Sequence, residues 1–199
     1  MRSVQLVLAA AFAALIGATA HADGVTSIAV GQNNPFFPST GGDGQVASFD
    51  QPGQKAVIEK TFDKLGDVPI IIDRGPSSGV DTIHIDERVR NDTGVDWTDF
   101  HFIFESIDAN PGLTISFLNV ANPTGEWSSG APGPNTLSLF GLVPAGDVFS
   151  ISFDLQMTDQ VDAYALFGVH EVPSVPEPTT VALLGLGLVP LAVRRRSAR

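Results

Sequence analysis

Residues 81–106 read DTIHIDERVRNDTGVDWTDFHFIFES. Two runs in this stretch alternate apolar and polar side chains, and a period of two is the signature of a strand with one buried face. In the first run Ile83, Ile85 and Val89 share a face with Glu87, while His84, Asp86, Arg88 and Arg90 take the other. In the second, Phe100, Phe102 and Phe104 oppose Trp97, Asp99, His101, Ile103 and Glu105. Between the runs lies the turn-rich segment from Asn91 to Asp96, which predicts a hairpin. One register suits both faces: Ile83 opposite Phe104, Ile85 opposite Phe102 and Glu87 opposite Phe100. On the outside it pairs Asp86 with His101, Arg88 with Asp99 and Arg90 with Trp97, the last as a cation–π contact. Glu87 is the misfit on the inner face and marks either a bulge or the rim of the core.

Similar alternation recurs along the chain between Gly, Pro, Asn and Asp clusters. It predicts strands at 25–31, 45–50, 54–62, 69–73, 81–91, 97–107, 113–120, 136–142, 147–157 and 163–171. The segment KAVIEKTFDKL (55–65) is compatible with either a strand or a helix. Two long loops are expected, at 32–44 and 121–135. Many short strands with turn signals between them predict an all-β protein, an antiparallel β-sandwich of jelly-roll or Ig-like type. Phe149, Ile151, Phe153 and Leu155 share one face of the run at 147–157, so the core should be rich in phenylalanine.

Both ends of the chain read as addresses. Arg2 precedes an apolar run that closes on Ala20-His21-Ala22, the order of parts of a secretory signal peptide. Residues 1–22 are therefore expected to be cut off after Ala22. The last residues, VPEPTTVALLGLGLVPLAVRRRSAR (175–199), place a Pro-Glu-Pro before an uncharged apolar run and an arginine cluster. As a helix, fifteen residues reach roughly 22 Å, short of a hydrocarbon core about 30 Å thick. The segment thus predicts a short transmembrane helix, with Arg194, Arg195, Arg196 and Arg199 holding its end in the cytoplasm. Between the addresses, residues 23–175 form one domain carrying six basic and 21 acidic side chains, a formal charge of −15. Such a body repels nucleic acid. The chain has no cysteine, which excludes disulfides, thiolate metal sites and cysteine nucleophiles.

The order Pro176-Glu177-Pro178, short apolar helix, arginine cluster and chain end resembles the PEP-CTERM sorting signal of Gram-negative bacteria. The resemblance covers residues 176–199 and agrees with the paired signal peptide. It implies an exported protein held briefly in the inner membrane and processed near the motif by exosortase, a membrane protease-transpeptidase. Delivery to the cell surface or the extracellular matrix follows, often in the setting of exopolysaccharide and biofilm. The segment at 87–102 also resembles stretches in the β-rich bodies of proteins bearing this tail.

The body offers little overt chemistry. His84 and His101 are placed on one outer sheet face with Asp86 beside them, the nearest approach to a metal site, although no metal motif is present. Their ordinary reading is as solvated surface residues, and the same holds for His170. No G-x-S-x-G occurs. Asp86 with Glu87, or Glu105 with Asp108, are the carboxylate pairs to weigh for glycoside hydrolysis. Gly41-Gly42-Asp43-Gly44 lacks the ligand spacing of an EF-hand, which leaves calcium only on loop carbonyls. Phe36, Phe37 and Trp127 lie in the long loops, where they either stack on sugar rings or plug the ends of the sandwich. The reading favoured is a non-enzymatic surface or matrix protein. A carbohydrate-binding module and a secreted polysaccharide hydrolase are the alternatives.

Overall fold

The computed structural model describes residues 24–31, 34–76, 79–106, 114–122, 124–125, 127–129, 132–158 and 165–175. The expected signal peptide (1–22) and sorting tail (176–199) lie outside the described residues. The regular elements among the described residues are all strands: β1 (Val25–Val30), β2 (Gly42–Asp50), β3 (Lys55–Phe62), β4 (Ile70–Arg74), β5 (Val80–Asn91), β6 (Trp97–Ser106), β7 (Thr114–Ala121), β8 (Trp127–Ser129), β9 (Thr136–Val143), β10 (Val148–Thr158) and β11 (Ala165–Ser174). One sheet has the order β1-β4-β11-β6-β9-β8 and the other the order β2-β3-β5-β10-β7. All neighbours are antiparallel except β3 and β5, which run parallel. Their inner faces enclose one core, as in a sandwich.

The predicted hairpin is not formed. β5 and β6 belong to different sheets: β5 pairs with β3 and β10, and β6 with β11 and β9. Two strands with one apolar face each can pair edge to edge or stack face to face, and the period of two is the same in both arrangements. The connection decides between them. Asn91 is fully buried, and its amide donates to the carbonyls of Val95 (2.9 Å), Val143 (3.1 Å) and Pro144 (3.2 Å). Its Oδ1 accepts from the Thr93 N–H and hydroxyl. The turn is thereby tied to the end of β9, and the chain arches from one sheet to the other.

The three outer-face pairs fall with the hairpin. Arg90 binds Asp92 instead, its Nε at 2.8 Å from Oδ1. His101 bonds to the Ser138 hydroxyl at 2.9 Å. Trp97 points inward, because an irregularity in the β6–β9 register between Trp97 and Asp99 turns it to the same side as Phe100. Its indole N–H donates to Thr93 Oγ1 at 3.1 Å. Glu87 marks no bulge, for the β5–β10 ladder runs unbroken through Ile151. It is itself a core residue.

The inward sets are otherwise as the alternation implies. Ile83, Ile85, Val89, Phe100, Phe102, Phe149, Ile151, Phe153 and Leu155 are all buried. The ambiguous segment at 55–65 supplies β3, a strand with alternating burial. β8 adds a short eleventh strand inside the expected loop at 121–135. β11 runs to Ser174, three residues beyond the predicted end, with Pro173 opposite Phe100. Proline is tolerated there because pairing with β4 has already stopped at Val169, so no second neighbour asks for its missing N–H. Gly168 is required in β11 by close approach: a Cβ there would stand 2.7 Å from the Phe37 ring, which lies over the strand.

Candidate functional sites

The densest chemistry lies inside the sandwich. Lys60 on β3 follows Ile58 and precedes Phe62 on the inward face, Glu87 sits between Ile85 and Val89 on β5, and Glu171 lies beyond Val169 on β11. The Lys60 ammonium is 2.6 Å from Glu171 Oε1 and 3.1 Å from Glu87 Oε1, and all three side chains are completely excluded from solvent. The contacts are close but poorly aligned as hydrogen bonds, so the carboxylate oxygens lack good donors. Burial, and then the neighbouring Glu87 charge, push the Glu171 carboxyl well above the ordinary range, against the opposing pull of Lys60. Burial in that position thus favours the acid form of the carboxyl over its charged form. Sequence reasoning singled out Glu87 and missed its partners. The signal was present: Lys60 and Glu171 are charges at inward positions of alternating strands.

A second cluster lies where β11 meets β6 and the 63–69 connection. The His170 ring bonds to Asp67 through Nδ1 and to Glu105 Oε2 through Nε2, the latter at 2.9 Å. Asp67 also accepts the Glu171 backbone N–H at 2.8 Å. The Asp67 hydrogen bond, opposed by burial but helped by the charges of Asp67 and Glu105, raises His170 above its ordinary value of 6.5. The protonated ring therefore stabilises the fold. That contribution is complete below pH 6.5 and disappears as the pH rises through the raised value. Denaturant titrations of wild type and His170→Gln should differ most on the acid side and converge at alkaline pH. A difference independent of pH would contradict this assignment.

The third cluster occupies the outer face of the β2-containing sheet. Lys55 Nζ is 2.7 Å from Asp86 Oδ2, and Asp86 Oδ1 is 3.2 Å from His84 Nε2. His84 Nδ1 is 2.6 Å from Asp154 Oδ1, and Asp154 accepts from the Asn119 amide at 2.6 Å. The Lys55 hydrogen bond lowers Asp86. Burial opposes the lowering of Asp154, but hydrogen bonds from Asn119 and His84 prevail. His84 and His101 do not share a face: they stand on opposite outer faces, because β5 and β6 lie in different sheets. Among the described residues, no group of three His, Asp or Glu side chains is placed so that it could hold a metal ion.

The carboxylate pairs also separate. Asp86 is on the outer face, and Glu87, its chain neighbour, points into the core, so the two cannot flank one glycosidic bond. Glu105 is engaged with His170, and Asp108 lies outside the described residues. Trp127 is buried in the core, Phe37 is buried against Gly168 and His170 on the outer side of β11, and Phe36 is 61% exposed. Gly42, Asp43 and Gly44 form the first residues of β2 rather than a free loop.

The C-terminal exit completes the picture. β11 lies between β4 and β6, and its last residue, Ser174, pairs with Asp99. The chain leaves the sheet at Val175, which packs against the core. From Ser174 the sequence matches a family model, the PEP-CTERM protein-sorting motif, over residues 174–196. The chain carries a PEP-CTERM sorting signal. The matched segment includes Pro176, Glu177, Pro178 and the arginines Arg194, Arg195 and Arg196. A PEP-CTERM protein is an exosortase-sorted exported protein whose tail serves as a membrane-held sorting signal before processing. No curated protein and no solved structure matches the chain.

Proposed function

We propose that the sandwich is a non-catalytic structural domain, displayed at the cell surface or in the extracellular matrix and contributing to adhesion or cohesion in an exopolysaccharide setting. The observation that carries this reading is the junction. The sorting motif begins at the last residue of β11, which is paired with β6 through to Ser174 and, over its first half, also with β4, so the tail is joined to a strand anchored within a sheet. A body held through its tail would transmit load into a paired ladder and not into a frayed edge. The inward-facing aromatics and the engaged carboxylates support a rigid body over a binding cleft or a hydrolytic centre. The strongly negative body is kept soluble and away from anionic surfaces until it is delivered.

The test compares the full chain with a chain ending at Val175, both produced in an exosortase-bearing host. The full chain should reach the surface or matrix with Asp23 at its N-terminus and without the arginine cluster. The shortened chain should fold with the same cooperative transition and should fail to be retained. Loss of the folding transition would place tail residues in the core. Hydrolysis of matrix polysaccharide by the purified body would replace the structural reading with the enzymatic one.

A further inference from the structure

We infer that Lys60 and Glu171 condense spontaneously into an intramolecular amide that links the two sheets, with Glu87 as the proton carrier. The inference stands on the geometry of the buried triad. An ammonium lies 2.6 Å from one carboxyl oxygen of Glu171, and the carbon to be attacked is one bond further. A second carboxylate lies 3.1 Å from the same nitrogen. None of the three side chains is reached by solvent, so hydrolysis does not compete. Holding the reacting groups in contact inside a folded core converts a slow bimolecular reaction into a unimolecular one.

The reaction balances without any outside reagent. Glu87, as carboxylate, takes one proton from the Lys60 ammonium and leaves a free amine. The amine nitrogen attacks Cδ of Glu171, which is present as the neutral acid, and the C–N bond forms. Proton transfer through Glu87 to a Glu171 oxygen lets the C–O bond break, and one water departs. The products are an amide, a water and a protonated Glu87, so one buried positive and one buried negative charge are both removed. That change favours the product, because charges are costly in an apolar interior and a neutral amide far less so. Glu171 is the electrophile rather than Glu87, being the closer of the two and the one that burial and its charged neighbour keep in the acid form. The bond would join β3 to β11, the strand that leads into the sorting tail, in a chain that has no cysteine for a disulfide.

The experiment is intact-mass spectrometry of the exported wild-type protein, followed by proteolytic mapping. The expected result is a mass lighter by one water and a branched peptide joining the Lys60 segment to the Glu171 segment. Trypsin should also fail to cut after Lys60 in denatured protein. Glu87→Gln and Lys60→Arg should restore the full mass and the linear peptides, with circular dichroism confirming that each still folds. A wild-type protein of full mass that yields linear peptides for both segments would overturn the inference. So would a branch at Glu87, or a cross-link that persists in Glu87→Gln. If either variant fails to fold, the wild-type mass and peptide map decide the question alone.

Discussion

Phe100→Ala should destabilise the domain by about 3–5 kcal/mol, the range for truncating a fully buried phenylalanine. The ring is the hub of the aromatic core. Its centroid lies 5.2 Å from Phe102, 5.3 Å from Phe149, 5.7 Å from Phe62, 5.8 Å from Trp97 and 6.3 Å from Trp127. These partners come from both sheets and from the short strand β8, so the cavity cannot be closed by shifting one element. A domain stability on the order of 5–15 kcal/mol leaves such a variant close to unfolded. Phe102→Ala should cost a similar amount, since Phe102 packs on Phe100, Phe117 and Phe153. His101→Ala, one residue away on the outer face, should stay within about 0.5 kcal/mol. Urea midpoints for the three variants check the order, and a wild-type midpoint for Phe100→Ala would refute the packing.

Lys60→Met is the second large effect. Removing the ammonium leaves Glu87 and Glu171 facing each other in an apolar interior, and breaking a buried ion pair from one side costs about 3–5 kcal/mol. The loss should depend on pH in a definite sense. A carboxyl whose folded value is raised keeps its proton in the native state, so stability is full below the unfolded value of 4.5 and falls as the pH rises through the folded value. Lys60→Met should therefore be most nearly native in acid and weaken steadily towards neutrality. Neutralising the acids as well, in Lys60→Met/Glu87→Gln/Glu171→Gln, should abolish that slope. Glu87→Gln alone, which keeps the ammonium but lacks the proton carrier, separates the electrostatic from the covalent contribution. A flat pH profile for Lys60→Met would mean that the two carboxyls are hydrated after all.

Much of this molecule was legible in the amino-acid sequence because burial in a strand has a period of two. That rule located ten of the eleven strands found among the described residues and put Ile85, Phe100, Phe102, Phe149 and Phe153 inside. β8 escaped because three residues are too few to show a period. Trp97 was misplaced because an irregular register reverses the phase locally, and the residue types do not announce it. The sorting signal was also legible, since a linear arrangement of motif, apolar run and arginines needs no folding to be recognised.

Partnership is a different matter. Alternation says which side of a strand is buried but not which strand lies beside it. The arch between β5 and β6 depends on Asn91 reaching carbonyls of Val143 and Pro144, residues far away in the chain. The same holds for the charges. Glu87 looked like a lone flaw in an apolar face, Lys60 and Glu171 passed unremarked, and His170 looked like a surface residue. Only the stacking of β3 and β5 against β11 brings three flaws within ion-pair distance, and only the loop at Asp67 closes on His170. That the body is a β-sandwich and that its tail is a sorting signal both follow from local order along the chain. Tertiary structure alone decided which strands pair and which buried charges meet, because those contacts join residues that no local pattern relates.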